Sequence, residues 1–182
     1  MPFQLIPGNN AVSIDEQGWL LHKNPHGTFY SAVTQAIADT AAAQVVALEL
    51  DDDVEGLIHS RTTNNSRIQA EVAGSYEIFF SGISDVASGA ANKYLEVWIR
   101  IDGVDVANTN TITKIQSTAS EGVVAVAFSF ELTAGQYVEL VTWGDATTCQ
   151  WLATAVGTTP TRPACPSVIV TMKKVSSTLS FE

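Results

Sequence analysis

The sequence predicts an all-β domain, an antiparallel jelly roll or related β-sandwich of about eight to ten short strands. The first observation is the stretch 74–81, in which Tyr76, Ile78 and Phe80 occupy every second position. A period of two in aromatic and β-branched residues is typical of a strand with one buried face. The second is that similar stretches recur between turns containing Gly or Asn. No repeat of roughly 20–50 residues is present, which disfavours a propeller or solenoid.

Composition limits the possible classes of protein. A length of 182 residues suits one domain. Hydrophobic residues make up 46 % of the chain and charged residues only 15 %, a composition that excludes a disordered chain. The formal charge of −10 would repel phosphate, so we expect no nucleic-acid partner. No apolar run approaches the roughly 18 residues of a membrane helix, so we expect no membrane partner. The N-terminus lacks the features of a secretory signal, which predicts synthesis in the cytoplasm.

The chain is expected to comprise an N-terminal arm (residues 1–26), the β domain (27–175) and a short tail (176–182). Proline, glycine and asparagine interrupt the arm, which still carries many apolar residues. We expect Trp19, Leu20 and Leu21 to pack on the domain. Phe3, Leu5 and Ile6, which lie between two prolines, are expected to contact a partner.

In the first half of the domain, strands are predicted at 27–35, 44–50, 57–61, 64–72 and 74–81, with a loop at 36–43. The segment 51–56, Asp-Asp-Asp-Val-Glu-Gly, has two interpretations. Four carboxylates and a glycine could hold calcium, but the spacing of a helix–loop–helix calcium site is absent. We therefore expect a solvated turn there and no metal.

In the second half, residues 82–92 are polar and small and predict a loop. Strands are predicted at 94–101, 122–132, 137–143 and 167–172, and Asp102-Gly103 predicts a tight hairpin into 104–106. Residues 108–120 are expected to cross between sheets, and residues 149–165 to form a loop. Cys149 and Cys165 bound that loop. We expect two separate thiols, the alternative being a disulfide worth ~3 kcal/mol.

Nothing in the sequence indicates catalysis, a cofactor or a metal. The nucleophile motif G-x-S-x-G is absent. His22 and His26 are four residues apart, but Pro25 and Gly27 make a helical metal pair unsuitable. Acids in predicted loops could in principle pair as in glycosidases, and surface acids are the preferred interpretation. These acids are Asp85, Asp105 and Asp145.

Several features, taken in order, carry a resemblance. They are Phe29-Tyr30 with Gln35; Ser66-Arg67-Ile68 before Gly74-x-Tyr76-x-Ile78; Trp98-Ile99-x-x-Asp102-Gly103-Val104; Phe128-x-Phe130-x-Leu132-x-x-Gly135-x-Tyr137-Val138-x-Leu140; and Pro166-Ser167-Val168-Ile169-Val170. Over residues 27–175 the chain resembles the jelly-roll superfamily of tumour necrosis factor and the globular heads of complement and collagen-like proteins. Gln136 departs from the pattern, because these domains usually have Asp after the turn glycine.

The resemblance implies a homotrimer in which one sheet of each subunit faces a three-fold axis. Such a face should be apolar or small, because polar groups there need partners. Glu77 fits poorly, since three copies would repel one another unless protonated or paired. A monomer with a solvated second face is the alternative. The residues expected at the trimer interface are Glu77, Phe79, Ala125, Ala127 and Ser129.

A jelly-roll trimer with loops rich in Ala, Thr and Asn and without a secretory signal also resembles phage particle proteins. This resemblance implies a trimeric decoration (cement) protein on the phage head. Its partner would be the major capsid protein or another virion protein, and the protein would be located in the virion. The arm residues Phe3, Leu5 and Ile6 would make the contact. The alternative is the carbohydrate- or receptor-binding head of a tail fibre, with Tyr94, Trp143 and Trp151 stacking on sugars. The few residues before the domain favour decoration over a fibre tip. For each tryptophan, core or interface packing is the preferred interpretation.

Overall fold

The computed structural model describes residues 12–14, 20–22, 24–89, 92–117 and 121–176. These residues contain eighteen strand segments and no helix, so none of them forms a helix able to cross a membrane. The strands are β1 (Val12–Ile14), β2 (Leu20–His22), β3 (His26–Ser31), β4 (Gln35–Ala36), β5 (Gln44–Val45), β6 (Leu50–Glu55), β7 (Leu57–His59), β8 (Ile68–Ala70), β9 (Gly74–Val86), β10 (Lys93–Ile101), β11 (Val104–Asp105), β12 (Thr111–Ile115), β13 (Gly122–Leu132), β14 (Tyr137–Gly144), β15 (Cys149–Trp151), β16 (Gly157–Thr158), β17 (Thr161–Arg162) and β18 (Val168–Ser176).

Two seven-stranded antiparallel sheets form the domain. The first, here called the β9 sheet, has the order β4-β15-β9-β18-β3-β6, with β13 also paired to β9. The second, the β10 sheet, has the order β11-β10-β14-β8-β7, with β12 paired to β10 and β5 to β14. The arm contributes the separate hairpin β1–β2. The all-β jelly-roll class predicted from the sequence is confirmed.

The core lies between the sheets and follows the alternation seen in the sequence. Tyr76, Ile78 and Phe80 of β9 are buried, as are Leu95 and Val97 of β10. Burial of each such side chain contributes roughly 1.5–3 kcal/mol. The phenol of Tyr76 donates a hydrogen bond to the Val72 carbonyl (2.6 Å), so its one polar atom has a partner. Burial raises the pKa of Tyr76 to about 12.

Trp151 lies in the core, so its predicted role in sugar stacking is wrong. Its ring is fully buried and packs edge-on against Phe80, with 5.2 Å between centroids. Its indole nitrogen donates to Thr142 Oγ1 (3.0 Å). Gly82 accommodates both rings, because a Cβ there would lie 2.7 Å from the Trp151 ring. The polar edge of the indole is thus satisfied inside the protein.

The prediction of a loop at residues 82–92 is also wrong, because β9 continues to Val86 and pairs with β15. The buried polar residues of this extension have partners that the sequence does not reveal. Ser84 Oγ donates to the Gly122 carbonyl (3.1 Å), and Gln150 Nε2 donates to Asp85 Oδ2 (2.6 Å). Paired polar groups can be buried at little cost, so a polar stretch extends as a strand.

Further predicted boundaries are wrong, among them the loop at residues 149–165, which contains β15, β16 and β17. Residues 51–56 are not a turn, since β6 pairs with β3 at the edge of the β9 sheet. Residues 108–120 contain β12, which pairs with β10. The predicted strands 44–50 and 64–72 shrink to the short β5 and β8. The hairpin at Asp102-Gly103 is confirmed, with φ angles of 49° and 80° that suit such a turn.

Cys149 and Cys165 are free, as the prediction of two separate thiols requires. Cys149 is buried, and burial raises the pKa of its thiol. Cys165 is exposed and belongs to an isolated bridge with Thr154.

Candidate functional site

The outer face of the β9 sheet brings together all five residues predicted at the trimer interface. In the ladder between β9 and β13, Phe79 pairs with Ala127, Glu77 with Ser129, and Ser81 with Ala125. Residues at alternate positions of paired strands share a face, so the five side chains lie on one surface. We call this surface, with Ile169, Thr171 and Lys173 of the neighbouring β18, the β9 face.

The β9 face is apolar or small except for one ion pair. Phe79 is 42 % exposed, Ile169 is 37 % exposed, and the alanines beside them are at least partly exposed. Lys173 Nζ lies 2.9 Å from Glu77 Oε2 and 5.4 Å from the centre of the Phe79 ring. Glu77 therefore has a cationic partner in its own chain, which removes the repulsion expected of three unpaired carboxylates.

The sequence did not identify Ile169 and Lys173 as members of this face. The predicted strand 167–172 contains Ile169 but ends before Lys173. Its position beside β9 depends on a pairing between segments that are far apart in the chain. Side chains alternate between the two sides of a strand. Once β9 is known to lie beside β18, each residue of β18 can therefore be assigned to one face of the sheet.

A groove lies on the outer face of the β10 sheet and is lined largely by aromatic, acidic and amide side chains. Its volume is about 320 Å³, at the lower end of small-molecule pockets. Loop residues 106–110 form one wall and the sheet forms the floor. We call it the indole groove; its defining residues are Glu96, Trp98, Asp105, Asn108, Asn110 and Trp143.

Hydrogen bonds hold the two indoles of the groove in place. Trp98 Nε1 donates to Asp105 Oδ1 (2.9 Å), and Trp143 Nε1 donates to the Thr40 carbonyl (2.8 Å). Arg100 Nε donates to the same Asp105 oxygen (2.8 Å). The hydrogen bond from Trp98, followed by that from Arg100, lowers the pKa of Asp105, so this carboxylate is ionised at neutral pH.

The three residues predicted to stack on sugars lie in three different environments. Trp143 lines the indole groove, whereas Trp151 is in the core. Tyr94 is 41 % exposed on the same sheet face but outside the groove, with Lys114 Nζ 5.8 Å from its ring centre. Trp98 was missed, although alternation along the predicted strand 94–101 places it on the face opposite Leu95 and Val97.

The arm residues Phe3, Leu5 and Ile6 lie outside the described residues, so their predicted capsid contact stays a prediction.

The acids that were predicted to lie in loops have structural partners. Asp145 Oδ1 accepts from the Tyr94 amide (2.9 Å). Asp85 accepts from a glutamine side chain, and Asp105 accepts from an indole and a guanidinium. Within the described ranges, no group of three or more His, Cys, Asp or Glu side chains is placed to hold a metal ion.

In the acidic run at residues 51–56, Asp51 is held by two side chains. Its Oδ1 accepts from Arg61 Nη2 (2.6 Å), and its Oδ2 lies 2.8 Å from Nδ1 of the buried His59. The hydrogen bond from Arg61, followed by that with His59, lowers the pKa of Asp51 from 3.8 to about 2, against the opposing effect of burial.

This pairing predicts acid sensitivity. A lowered folded-state pKa contributes stability that is present above the unfolded value and is lost as pH falls through the folded value. We expect unfolding midpoints in urea to fall between about pH 4 and pH 2. Asp51→Asn should flatten this part of the profile and cost about 1–3 kcal/mol at neutral pH.

Asp52→Asn is the matched control for this experiment, since Asp52 is adjacent and exposed. Asp52→Asn should leave the loss of stability between about pH 4 and pH 2 unchanged. A profile of Asp51→Asn that is parallel to that of the unmutated protein would contradict the role of Asp51.

The chain is similar to known proteins in its fold alone. No protein-family model and no curated protein sequence matches the chain. Among solved structures, the chain is similar to the globular domain of zebrafish complement 1qA protein, with 12 % identity and a TM-score of 0.52 over 85 % of this chain and 98 % of that one. It is also similar to murine APRIL, with 12 % identity and a TM-score of 0.51 over 84 % of this chain and 100 % of that one. The chain therefore has an antiparallel jelly-roll fold similar to those of the complement 1qA globular domain and APRIL.

Proposed function

We propose that this chain is a non-enzymatic, homotrimeric structural protein of a virion, which decorates a phage head and stabilises it. The observation that carries the trimer is the β9 face, where exposed apolar and small side chains surround an internally paired Glu77. A sheet that already buries one face in the core has little reason to carry Phe79 and Ile169 on the other unless a partner covers them. The fold resemblance to the tumour necrosis factor superfamily implies the same arrangement.

Decoration of a shell then follows from multiple weak contacts. A trimer at a three-fold position would touch several capsid subunits at once, and linked weak contacts act as one strong attachment. Bound trimers favour the assembled shell because they bind only to that state. The capsid partner would be the major capsid protein, contacted by Phe3, Leu5 and Ile6 of the arm. The sequence lacks the nucleophile motif of hydrolases, which supports a structural role.

Removal of the outer arm should separate folding from attachment. A truncation starting at Gly8 lacks Phe3, Leu5 and Ile6, and we expect it to keep the melting temperature and the oligomeric state of the full chain. Its co-sedimentation with undecorated capsids of the source phage should fall by about tenfold or more, because three apolar anchors are lost from each subunit.

A second truncation, starting at Gly27, serves as the comparison, since it also removes the β1–β2 hairpin. We expect this variant to lose stability as well as attachment. Particle binding by the Gly8 truncation that equals binding by the full chain would exclude the arm as the capsid contact.

A second candidate function is the receptor-binding head of a tail fibre. The indole groove favours it, since two tryptophans on an open sheet face are typical of surfaces that recognise ligands. Mixing with capsids and with host cells separates the two functions: a decoration protein binds capsids, and a receptor-binding head binds cells.

A further inference from the structure

The two tryptophans of the indole groove lie side by side on one sheet face. Trp98 pairs with Val141 and Trp143 pairs with Glu96, so the two indoles are diagonal neighbours on β10 and β14. Such diagonal positions are about 7–8 Å apart. Both indole nitrogens already donate to acceptors of the chain, so the aromatic carbon surface is what each ring offers to a ligand.

Polar groups at the rim suit a ligand that carries hydroxyls. Asn110 Nδ2 donates to Glu96 Oε2 (2.6 Å), which leaves the other Glu96 oxygen and the Asn110 carbonyl as further acceptors. The Asp105 side chain is 56 % exposed, and Asn108 and Asn110 are exposed beside it. Aromatic faces next to planar amides and carboxylates match a sugar ring, which has an apolar C–H face and a rim of hydroxyls.

We propose that the indole groove binds a neutral saccharide. Its volume of about 320 Å³ suits one or two sugar rings. The charge argues against anionic sugars, since Glu96 and Asp105 line the groove and the chain carries a formal charge of −10. The neighbouring cation Arg100 is already paired with Asp105 at 2.8 Å.

A quaternary ammonium ligand is the competing class, because tryptophans and carboxylates also bind cations. The geometry favours the sugar. The indoles lie along an open sheet face instead of surrounding a point, and Glu96 and Asp105 already accept hydrogen bonds from the chain. The amides of Asn108 and Asn110 would have no partner on a trimethylated nitrogen.

Sugar binding in the indole groove does not require the proposed trimer. The groove is on the β10 sheet, whereas the β9 face is on the other sheet. A trimer closed through the β9 face would leave three grooves free, and the trimer matters only to avidity. Loss of sugar binding and loss of the trimer are therefore measured separately.

The test is calorimetric and NMR titration of the full chain with a panel of neutral pyranosides and disaccharides, with sialyllactose as the anionic probe and choline as the cationic probe. We expect at least one neutral sugar to bind with a dissociation constant of roughly millimolar for a single groove. Trp98→Ala and Trp143→Ala should each weaken that binding by about tenfold or more, because each removes a stacking surface.

Asn110→Ala is the second variant, chosen because Asn110 is exposed and its loss should not affect folding. We expect it to weaken binding severalfold at an unchanged melting temperature. Tyr94→Ala, which removes an exposed aromatic ring on the same sheet outside the groove, is the control and should bind normally. The proposal is overturned if no neutral sugar binds, if choline or sialyllactose binds instead, or if the groove variants bind as the unmutated chain does.

Discussion

Phe79→Asp is expected to convert the proposed trimer into folded monomers. The substitution introduces a carboxylate at the centre of the β9 face in all three subunits, where the neighbouring cation Lys173 is already paired with Glu77. A charge without its own partner in a buried interface costs about 3–5 kcal/mol. Phe79 is 42 % exposed in the single chain, so the monomer should retain its fold. The dissociation constant of the trimer should rise by about a thousandfold or more, as measured by light scattering over a dilution series.

Ala127→Arg tests the same surface from the neighbouring strand, since Ala127 pairs with Phe79 and lies on the β9 face. Both variants should give monomers with an unchanged circular dichroism spectrum. Ile58→Asp is the matched control, because Ile58 is a similarly exposed apolar residue of the other sheet. A monomeric mass for the unmutated protein at micromolar concentration, or a trimer that survives both substitutions, would refute the assembly.

Trp151→Ala should destabilise the domain strongly, since Trp151 is the largest fully buried side chain among the described residues. Its ring packs against Phe80, and removal of a buried tryptophan costs about 3–5 kcal/mol because a cavity remains. Its loss also leaves Thr142 Oγ1 without one hydrogen-bond donor. For a chain of this length the melting temperature should fall by roughly 10 °C, as measured by calorimetry.

Trp151→Phe separates the two contributions, since it keeps an aromatic ring and removes only the indole N–H and part of the volume. We expect its stability to lie between those of the unmutated protein and Trp151→Ala. Val156→Ala, at an exposed position in the loop that follows β15, is the control and should change stability by less than about 0.5 kcal/mol. Equal stability of Trp151→Ala and the unmutated protein would contradict the core position of Trp151.

Local sequence does not determine whether Trp143 and Trp151 are buried in the core or lie on the outer surface. Both follow polar residues in the second half of the chain, and stacking on sugars and core packing are open to each on sequence alone. The structure separates them, because β15 pairs with the end of β9 and this directs Trp151 into the core. Trp143 instead belongs to the outer face of β14, opposite Glu96.

Local sequence patterns were sufficient to predict the all-β class, the strand at residues 74–81, the Asp102-Gly103 hairpin and the common face of Phe79 and Glu77. These features depend on alternation and turn chemistry, which act between residues close together in the chain. Three features became visible only in the folded protein: the extension of β9 to Val86, the edge strand β6, and the proximity of Trp98 to Trp143. These depend on pairing between distant segments, where a buried polar group or an indole finds its partner in a strand that local sequence does not identify.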